Sequence, residues 1–560
     1  MNSTDLIIPY ELRIGVAGHR ELQDQAAVSA VVDDLIMRLD SYLKQHYSVP
    51  VEWNVISPLA KGADRIVARS IMRLANAELT VLTPFKIDEY RKDFVTPEDL
   101  SEFEAFFKKN PKLVELSPKE MNIHDASYRK TCYVDVGESV VDACEILIAV
   151  WDREVENTSV TTQVVDYARQ QKKIILWINS RNPGAGVNIH IPGGEDEFIS
   201  LTDISSPEFI FENVRQLAEF FEDQSIQSST YKQALDDSRK QLSVKANEAG
   251  IDCQHLAPVL EKVVPYYVRA DLLAIFYQKH YMLIIKSVYV LSALAVSVAV
   301  FQALFYPDML WIIILEIIAM SGVLFSVTYG NRRKSHDKWL RYRHMAELLR
   351  VTMVTLLVSD DPCEPVADTH KTLVFYAGPE SWLRAAVHKI VTGAKSPALS
   401  GIEFTPLKQY VIQGWIEDQK NFHENNSAKK HSLAHISHLA VLIVFFVTMA
   451  MAVLHFFGVG HHDRASIPIL SIGNWITFLA ISLPAWGAAI HAIGKQLEYE
   501  RIEQRSNQMA DVLTQYISKA EKATNLSELR EVVHQAARVM SLENFEWWIL
   551  LSFEEPEIAA

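Results

Sequence analysis

Cysteine is scarce in this chain. The four residues Cys132, Cys144, Cys253 and Cys363 among 560 show neither the spacing of a metal site nor a paired framework, which argues against a disulfide-dense scaffold or zinc module and for a reducing compartment. Basic charge is also in short supply. Lys+Arg number 54 against 69 Asp+Glu, a formal net charge of −15, so no global positive field exists to hold a polynucleotide, and no nucleic acid polymer is expected as a partner. The N-terminus, MNSTDLIIPYELRIG, lacks a basic stretch followed by an apolar one. A cleaved secretory signal is therefore not expected. Charged residues make up 22% and hydrophobic residues 49%, high for a soluble protein and low for one that is mostly membrane, which suggests a mixture of the two.

The apolar residues gather late, in four runs of about the ~20 residues that cross a hydrocarbon core of ~30 Å: Tyr281 to Phe305, Met309 to Tyr329, Ile436 to Phe457 and Ile467 to Ile493. They pair as two hairpins. The first turn, Tyr306-Pro307-Asp308, carries no Lys or Arg and the second, Gly458 to Ser466, only Arg464, whereas Lys279, Arg332, Arg333, Lys334, Lys429, Lys430 and Lys495 flank the hairpins. This asymmetry places both hairpin mouths in the cytoplasm, with the N-terminal domain and the C-terminus cytosolic and the chain multi-pass in the inner (cytoplasmic) membrane. A motif recurs after each hairpin. Met345-Ala346-Glu347 with Leu349 returns as Met509-Ala510-Asp511 with Leu513, 164 residues on, as a duplicated membrane unit would require and as helix periodicity alone could also produce.

Ahead of the hairpins, strands and helices alternate, the pattern of an α/β domain with a parallel sheet and helices on both faces. Strands are expected at Leu12 to Ala17, Trp53 to Ser57, Leu79 to Thr83, Ile146 to Trp151 and Ile174 to Ile178; helices are expected at Ala26 to Gln45 and Ala63 to Ala75, where apolar residues recur at three-and-four spacing. Asn182 to Gly194, rich in Gly and Pro, reads as the edge of this domain. The implied organisation is a ligand-sensing domain over 1–195, a helical connector over 196–279, a first hairpin with flanking helix over 280–350 and an inter-hairpin segment over 351–430. A second hairpin with flanking helix over 431–513 and a helical tail over 514–560 complete it.

Ligands of such sheets bind outside the carboxyl ends of the strands, beside helix N-termini. Three loops offer the chemistry. The first holds Gly15, Gly18, His19 and Arg20, glycines for close approach and cations for an anion; the second holds Ser57, Gly62, Ala63 and Asp64 at a helix start; the third holds Asp152 and, past Thr158, Ser159, Thr161 and Thr162. Each element also has a plainer reading: turn glycines, a first-turn carboxylate, helix-capping hydroxyls.

Taken together, RIGVAGHR (Arg13 to Arg20), SPLAKGADRIVA (Ser57 to Ala68), the stretch with Tyr133, Gly137, Val140, Val141 and Asp142, and LIAVWD ending at Asp152 resemble the SLOG superfamily of Rossmann-like nucleotide-binding domains over about Glu11 to Asn179. The flanking helix with Trp339 to Arg343 and Ala346 to Arg350 resembles the SLATT group of two-helix membrane effectors. The resemblance implies a bacterial immunity (antiviral defence) effector: a nucleotide-derived small molecule, rather than a resident cofactor, binds Gly15, Gly18, His19, Arg20, Ser57, Gly62, Ala63, Asp64 and Asp152, and a homo-oligomer in the lipid bilayer forms a pore or disrupts the membrane. Many members have Gly-Gly-Thr where this chain has Ser159-Val160-Thr161, and the β-branched Val160 disfavours the backbone a glycine would allow. The motif of the phosphoribohydrolase relatives is absent. A membrane-anchored nucleotide or N-glycosidic hydrolase is the alternative, and an enzyme is the less expected of the two.

Elsewhere, His461-His462-Asp463, the pair His435 and His438, Asp360-Asp361 and Cys363-Glu364 lack the third ligand or surrounding motif of a metal or catalytic site. Glu316 is the one acidic residue within the spans, and a charge at that depth ordinarily faces a bundle interior or water. Lys286 lies near the inner end of its span, where it can snorkel.

Overall fold

The computed structural model describes residues 6–116, 125–153, 159–193, 198–203, 207–359, 381–396, 399–460 and 468–552. Thr158, Asp360-Asp361, Cys363-Glu364 and His461-His462-Asp463 lie outside them. The chain divides into two compact units, Met1–Asp223 with Val374–Ala386, and Gln224–Leu373 with Val387–Ala560.

The first unit is an α/β domain around an eight-stranded sheet in the order β4-β3-β2-β1-β5-β6-β7-β8. The strands are β1 Tyr10–Gly18, β2 Val51–Ser57, β3 Ala77–Thr83, β4 Lys112–Glu115, β5 Ile146–Trp151, β6 Ile174–Asn179, β7 Val187–His190 and β8 Ile199–Ser200. All neighbours from β4 to β6 pair parallel, the β6–β7 and β7–β8 pairings are antiparallel, and β7 alone therefore runs against the other strands. Between them come helices α1 Gln25–His46, α2 Ala63–Ile71, α3 Ile87–Tyr90, α4 Pro97–Phe107, α5 Ala126–Ala143 and α6 Val160–Gln170, with α7 Glu212–Glu222 after the sheet. The winding reverses at β1: the chain steps outward through β2, β3 and β4, then crosses back to lay β5 on the other side of β1.

Strand directions show that helices cover both faces. An added Cβ at Gly15 would meet Cys144 Sγ at 2.6 Å, at the end of α5, whereas one at Gly18 would meet Ala63 Cβ of α2 at 2.4 Å; odd and even residues of a strand point to opposite faces. β5, covered on both sides, is buried along its whole length, and so reads in sequence as an unbroken apolar run. The expected strands are present. The extra strands are short edge elements: β4 is mostly exposed, while β7 and β8 fall within and beyond the Gly/Pro-rich stretch expected to end the domain, and hold to the sheet by antiparallel pairing with β6 and with each other.

The second unit is helical: α8 Ser228–Glu248, α9 Cys253–Lys262, α10 Val264–Phe305, α11 Trp311–Arg333 and α12 Ser335–Val358, then, beyond α13 Ser381–Ala394, α14 Phe404–Gln409, α15 Glu417–Phe456, α16 Ile472–Gln496, α17 Tyr499–Lys522 and α18 Leu526–Ser552. Four helices are long and apolar enough to cross a membrane: α10, α11, the continuous segment ending in α15, and the segment beginning with α16. At ~1.5 Å per residue, the 42 residues of α10 exceed twice a hydrocarbon core, so its first turns project outside.

The duplication extends well beyond the recurring motif. Each module is a long helix, a shorter span antiparallel to it, and a third helix that continues past the span along the same long helix: α10, α11, α12 and α15, α16, α17. Span and third helix are separated by a single left-handed residue, Lys334 (φ 47°) or Glu498 (φ 48°), again 164 residues apart. The helices that follow, α12 and α17, are 24 residues each and begin and end at that same spacing. Met345, Ala346 and Leu349, like Met509, Ala510 and Leu513, are all buried, which is why those letters recur.

Because a non-glycine residue in this conformation is strained, Lys334→Gly is expected to leave thermal stability in detergent unchanged or raised by up to about 1 kcal/mol. Lys334→Val should lower it by roughly 1–2 kcal/mol. Equal unfolding midpoints for the two variants would contradict strain at the junction.

Candidate functional site

The carboxyl ends of β1, β2, β5 and β6 form one rim of the first unit, and loops from three of them interlock. Gly18 ends β1 without a side chain, so α2 and the backbone of β5 can both approach it: besides Ala63, an added Cβ would stand 2.8 Å from Val150 O. Gly62, the residue before α2, has φ +88°, and a Cβ there would meet the carbonyl oxygens of Arg20 at 2.4 Å and His19 at 2.5 Å. Both glycines are thus required by loop packing. Gly62→Val would displace the first loop itself.

Across this junction His19 O accepts the Ala63 N–H at 3.2 Å, and the His19 N–H donates to Val150 O at 3.1 Å. Thr161 Oγ1 donates to Gly18 O at 3.2 Å, while Ser159 Oγ accepts the Thr162 N–H at 3.1 Å and caps α6. The Ala63 amide, Ser159 and Thr161 are therefore engaged within the protein. Val160 is the first residue of α6.

Charged side chains gather at the rim. His19 Nε2 lies 3.1 Å from Asp152 Oδ1, and Arg181 Nε lies 3.1 Å from Asp152 Oδ2. The guanidinium of Arg20 sits 4.9 Å from the centroid of the Tyr133 ring, a cation–π contact; Tyr133 in turn donates its hydroxyl to Asp93, which also pairs with Arg129. The Arg153 guanidinium lies over Trp177 and Phe198, 5.2 and 5.1 Å from their centroids. His19 and Arg181 thus meet at the Asp152 carboxylate beside the place where the winding reverses, and Arg20, on the same loop as His19, lies over the Tyr133 ring.

Ser57 and Asp64 are buried beneath this rim. Ser57 Oγ accepts the Leu59 N–H at 3.0 Å and Asp64 Oδ2 the Ala60 N–H at 3.2 Å, which folds the second loop back on the start of α2. Burial pushes the Asp64 carboxyl up to about 7, against the lowering effects of the Ala60 amide, Arg20 and Ser57. Leu59, left-handed at φ 56°, is clamped by Arg65, which is almost fully buried and donates to Leu59 O at 3.1 Å while pairing with Asp99 at 2.9 Å and Glu102 at 2.6 Å. Gly15 stands back from the rim, packed under α5.

The structure thus brings Gly18, His19, Arg20, Gly62, Ala63, Asp152 and Thr161 together at the rim and leaves Gly15, Ser57, Asp64 and Ser159 in its support. Sequence reasoning missed Arg181, Tyr133 as a platform, and Arg65. Arg181 had a signal, since it follows β6, the strand next to β5. Glu316 belongs to the second unit, half-buried on α11. Among the described residues, no group of three or more His, Cys, Asp or Glu is gathered for a metal ion. No family model, curated protein or solved structure matches this chain.

A raised carboxyl pKa gives the pH dependence its sign. The folded state holds the Asp64 proton up to about pH 7, whereas the unfolded chain loses it near the ordinary value of 3.8, so stability falls as pH rises between those values. Asp64→Asn, which keeps an acceptor for the Ala60 amide, is therefore expected to gain on the parent as pH goes from 4 to 7, by an amount on the order of 4 kcal/mol at full effect. Thermal unfolding of the full chain at several pH values measures this, and a constant difference across the range would refute it.

Proposed function

We propose that the first unit is a SLOG-like, Rossmann-like sensor of a nucleotide-derived signal and that the second is a SLATT-like membrane effector. On binding, the effector assembles or opens an oligomeric pore or disrupts the membrane, as an antiviral defence protein of bacteria. One observation carries the sensor reading. At the reversal point of a parallel sheet, where open α/β folds bind nucleotides, His19 and Arg181 meet at Asp152 while Arg20, next in the chain to His19, lies over Tyr133, beside a backbone junction that only glycine permits at two places. Arginine forks suit phosphate oxygens, and the Arg20–Tyr133 stack offers a flat surface for a base. Asp64, whose carboxyl burial pushes up to about 7, turns inward to its own loop, so the hydrolase alternative gains nothing from it.

The four apolar helices support the effector reading, and the basic hairpin flanks orient it with both mouths and both termini in the cytoplasm. Cys144 is buried under Gly15 and so cannot report on sidedness; engineered thiols serve instead. A cysteine replacing Asp308 should react with an impermeant thiol reagent in intact cells, and one replacing Lys522, at the exposed end of α17, only after permeabilisation. Labelling of Lys522→Cys in intact cells would reverse the orientation.

The sensing step is tested with purified full-length protein. Small molecules that co-purify are identified by mass, and the identified nucleotide is then titrated by calorimetry and added to dye-loaded liposomes carrying the protein. Arg20→Ala, which removes one charge-assisted partner, is expected to weaken binding about 10-fold or more and to shift dye release to correspondingly higher concentration, with the unfolding midpoint unchanged. Parent-like affinity in the variant would remove Arg20 from the site; base or sugar release without leakage would favour the hydrolase.

A further inference from the structure

Within the second unit the two modules meet along one seam, α10 against α16. Phe305 and Trp475 have ring centroids 4.7 Å apart, and Phe301 and Phe478 6.0 Å. Trp486 Nε1 donates to Ser297 Oγ at 3.0 Å and Asn474 Nδ2 to Leu304 O at 3.1 Å. Since α10 also packs along α11, and α16 along α15, the four spans stand in the order α11, α10, α16, α15.

This seam joins unlike elements, the long helix of one module and the short span of the other. A contact of that kind uses two different surfaces, so a repeated unit is left with one unused copy of each. Both are present at the ends of the row. The counterparts of Trp475 and Phe478 on α11, at the 164-residue spacing, are Trp311 and Ile314, which are 60% and 55% exposed. On the other end, Gly330 faces Ile284 as its counterpart Gly494 faces Ser437, and the pairs Gly322–Leu291 and Gly487–Val444 keep the same register between the two long helices. In that register the counterpart of Phe301 is Leu454, exposed on α15, whose most apolar stretch has no buried residue.

We propose that α15 of one chain packs against α11 of a second copy by repeating the α10–α16 seam, so that chains associate head to tail. The inference rests on the membrane placement argued above and not on the nucleotide. Its occupant is set by continuity with the seam already inside the chain. Close side-chain packing holds helices together in lipid, where hydrophobic burial adds little, and the exposed Trp311, Ile314 and Leu454 offer such packing with one aromatic and two aliphatic residues. A head-to-tail contact leaves a free end on every dimer, so association continues until it closes.

Disulfide trapping in membranes tests this. Ile314→Cys and Leu454→Cys are placed on separately tagged chains and co-expressed, with the parent chain giving the background from its own cysteines. Phe301→Cys with Phe478→Cys in one chain reports the intrachain seam. Oxidation is expected to link the two tags to each other and to link neither variant to itself. An intrachain link without any link between chains would overturn the proposal, as would self-linking of Leu454→Cys, which would show a two-fold edge. Recovery of the chains outside the membrane fraction would overturn the membrane placement together with it. An absent nucleotide response leaves the result standing.

Discussion

The first unit is organised around side chains that are missing. At Gly18 a β-carbon would collide with Ala63 on one side and the Val150 carbonyl on another, and at Gly62 it would collide with the carbonyls of His19 and Arg20. Those two absences let β1, β5 and the start of α2 share one junction, which the Ala63 amide closes onto His19 O. A chemical consequence follows. An unused helix N-terminus offers its free amides to an anion, but here one of those amides is already engaged and the nearby carboxylate of Asp64 is folded against the loop. Attraction for an anion at this rim must therefore come mainly from side chains, from Arg20, Arg181 and His19, and these are longer and more adjustable than backbone.

The same junction shows how far letters carry and where they stop. Continuous apolar runs as short as Ile146 to Trp151, bounded by polar residues, fit strands because helices cover both faces of the sheet. Lys112–Glu115 and Ile199–Ser200 carry no such mark, since edge strands are held by pairing with a neighbour rather than by burial on two sides. Among the glycines, Gly15 and Gly18 look alike in RIGVAGHR, yet one makes room for Cys144 under α5 and the other for Ala63 of α2. Local spacing announces that a backbone must be approached closely and is silent about what approaches. Arg65 is harder still. Its partners Asp99 and Glu102 lie more than thirty positions away, and nothing short-range distinguishes it from a surface arginine on a helix.

In the second unit, the recurring Met-Ala-acid-x-Leu motif was visible as letters because it is a packing stripe, conserved in both modules by what it must bury. The acid within it has diverged. Glu347 is buried between Arg343 and Arg350, with Asp271 of α10 3.4 Å from Arg343, whereas its counterpart Asp511 is exposed. A carboxylate taken from water is costly unless its partners are in place, so the first module holds α12 to α10 through charges that tolerate little displacement. The helix α18, which packs along α12, adds Glu543, a carboxyl pushed up to about 7 by burial and paired with Arg505 of α17. The two modules thus share a backbone plan while differing in what ties the third helix to the first: charges in one, and in the other the contacts of Asn426 with Ser506 at 3.0 Å, Ser427 with Asn507 at 2.6 Å and His431 with Glu503 at 2.8 Å.

The row of spans bears on what the membrane part can do. A row has two faces and two ends, and a water-filled path needs a closed wall. The half-buried carboxyl of Glu316 stands on α11, an end helix of that row, which is where a path bounded by more than one chain would pass. If a nucleotide controls such a path, its binding must favour one arrangement of chains over another by its difference in affinity, about 5.5 kcal/mol to carry a population from 1:99 to 99:1. A contact of three rim side chains can supply a difference of that order only if they are arranged differently in the two states. His19 and Arg181, both held to Asp152, are placed for that: an entering phosphate competes with the carboxylate for both side chains at once, so binding would release the tie between the β1 and β6 loops that Asp152 makes.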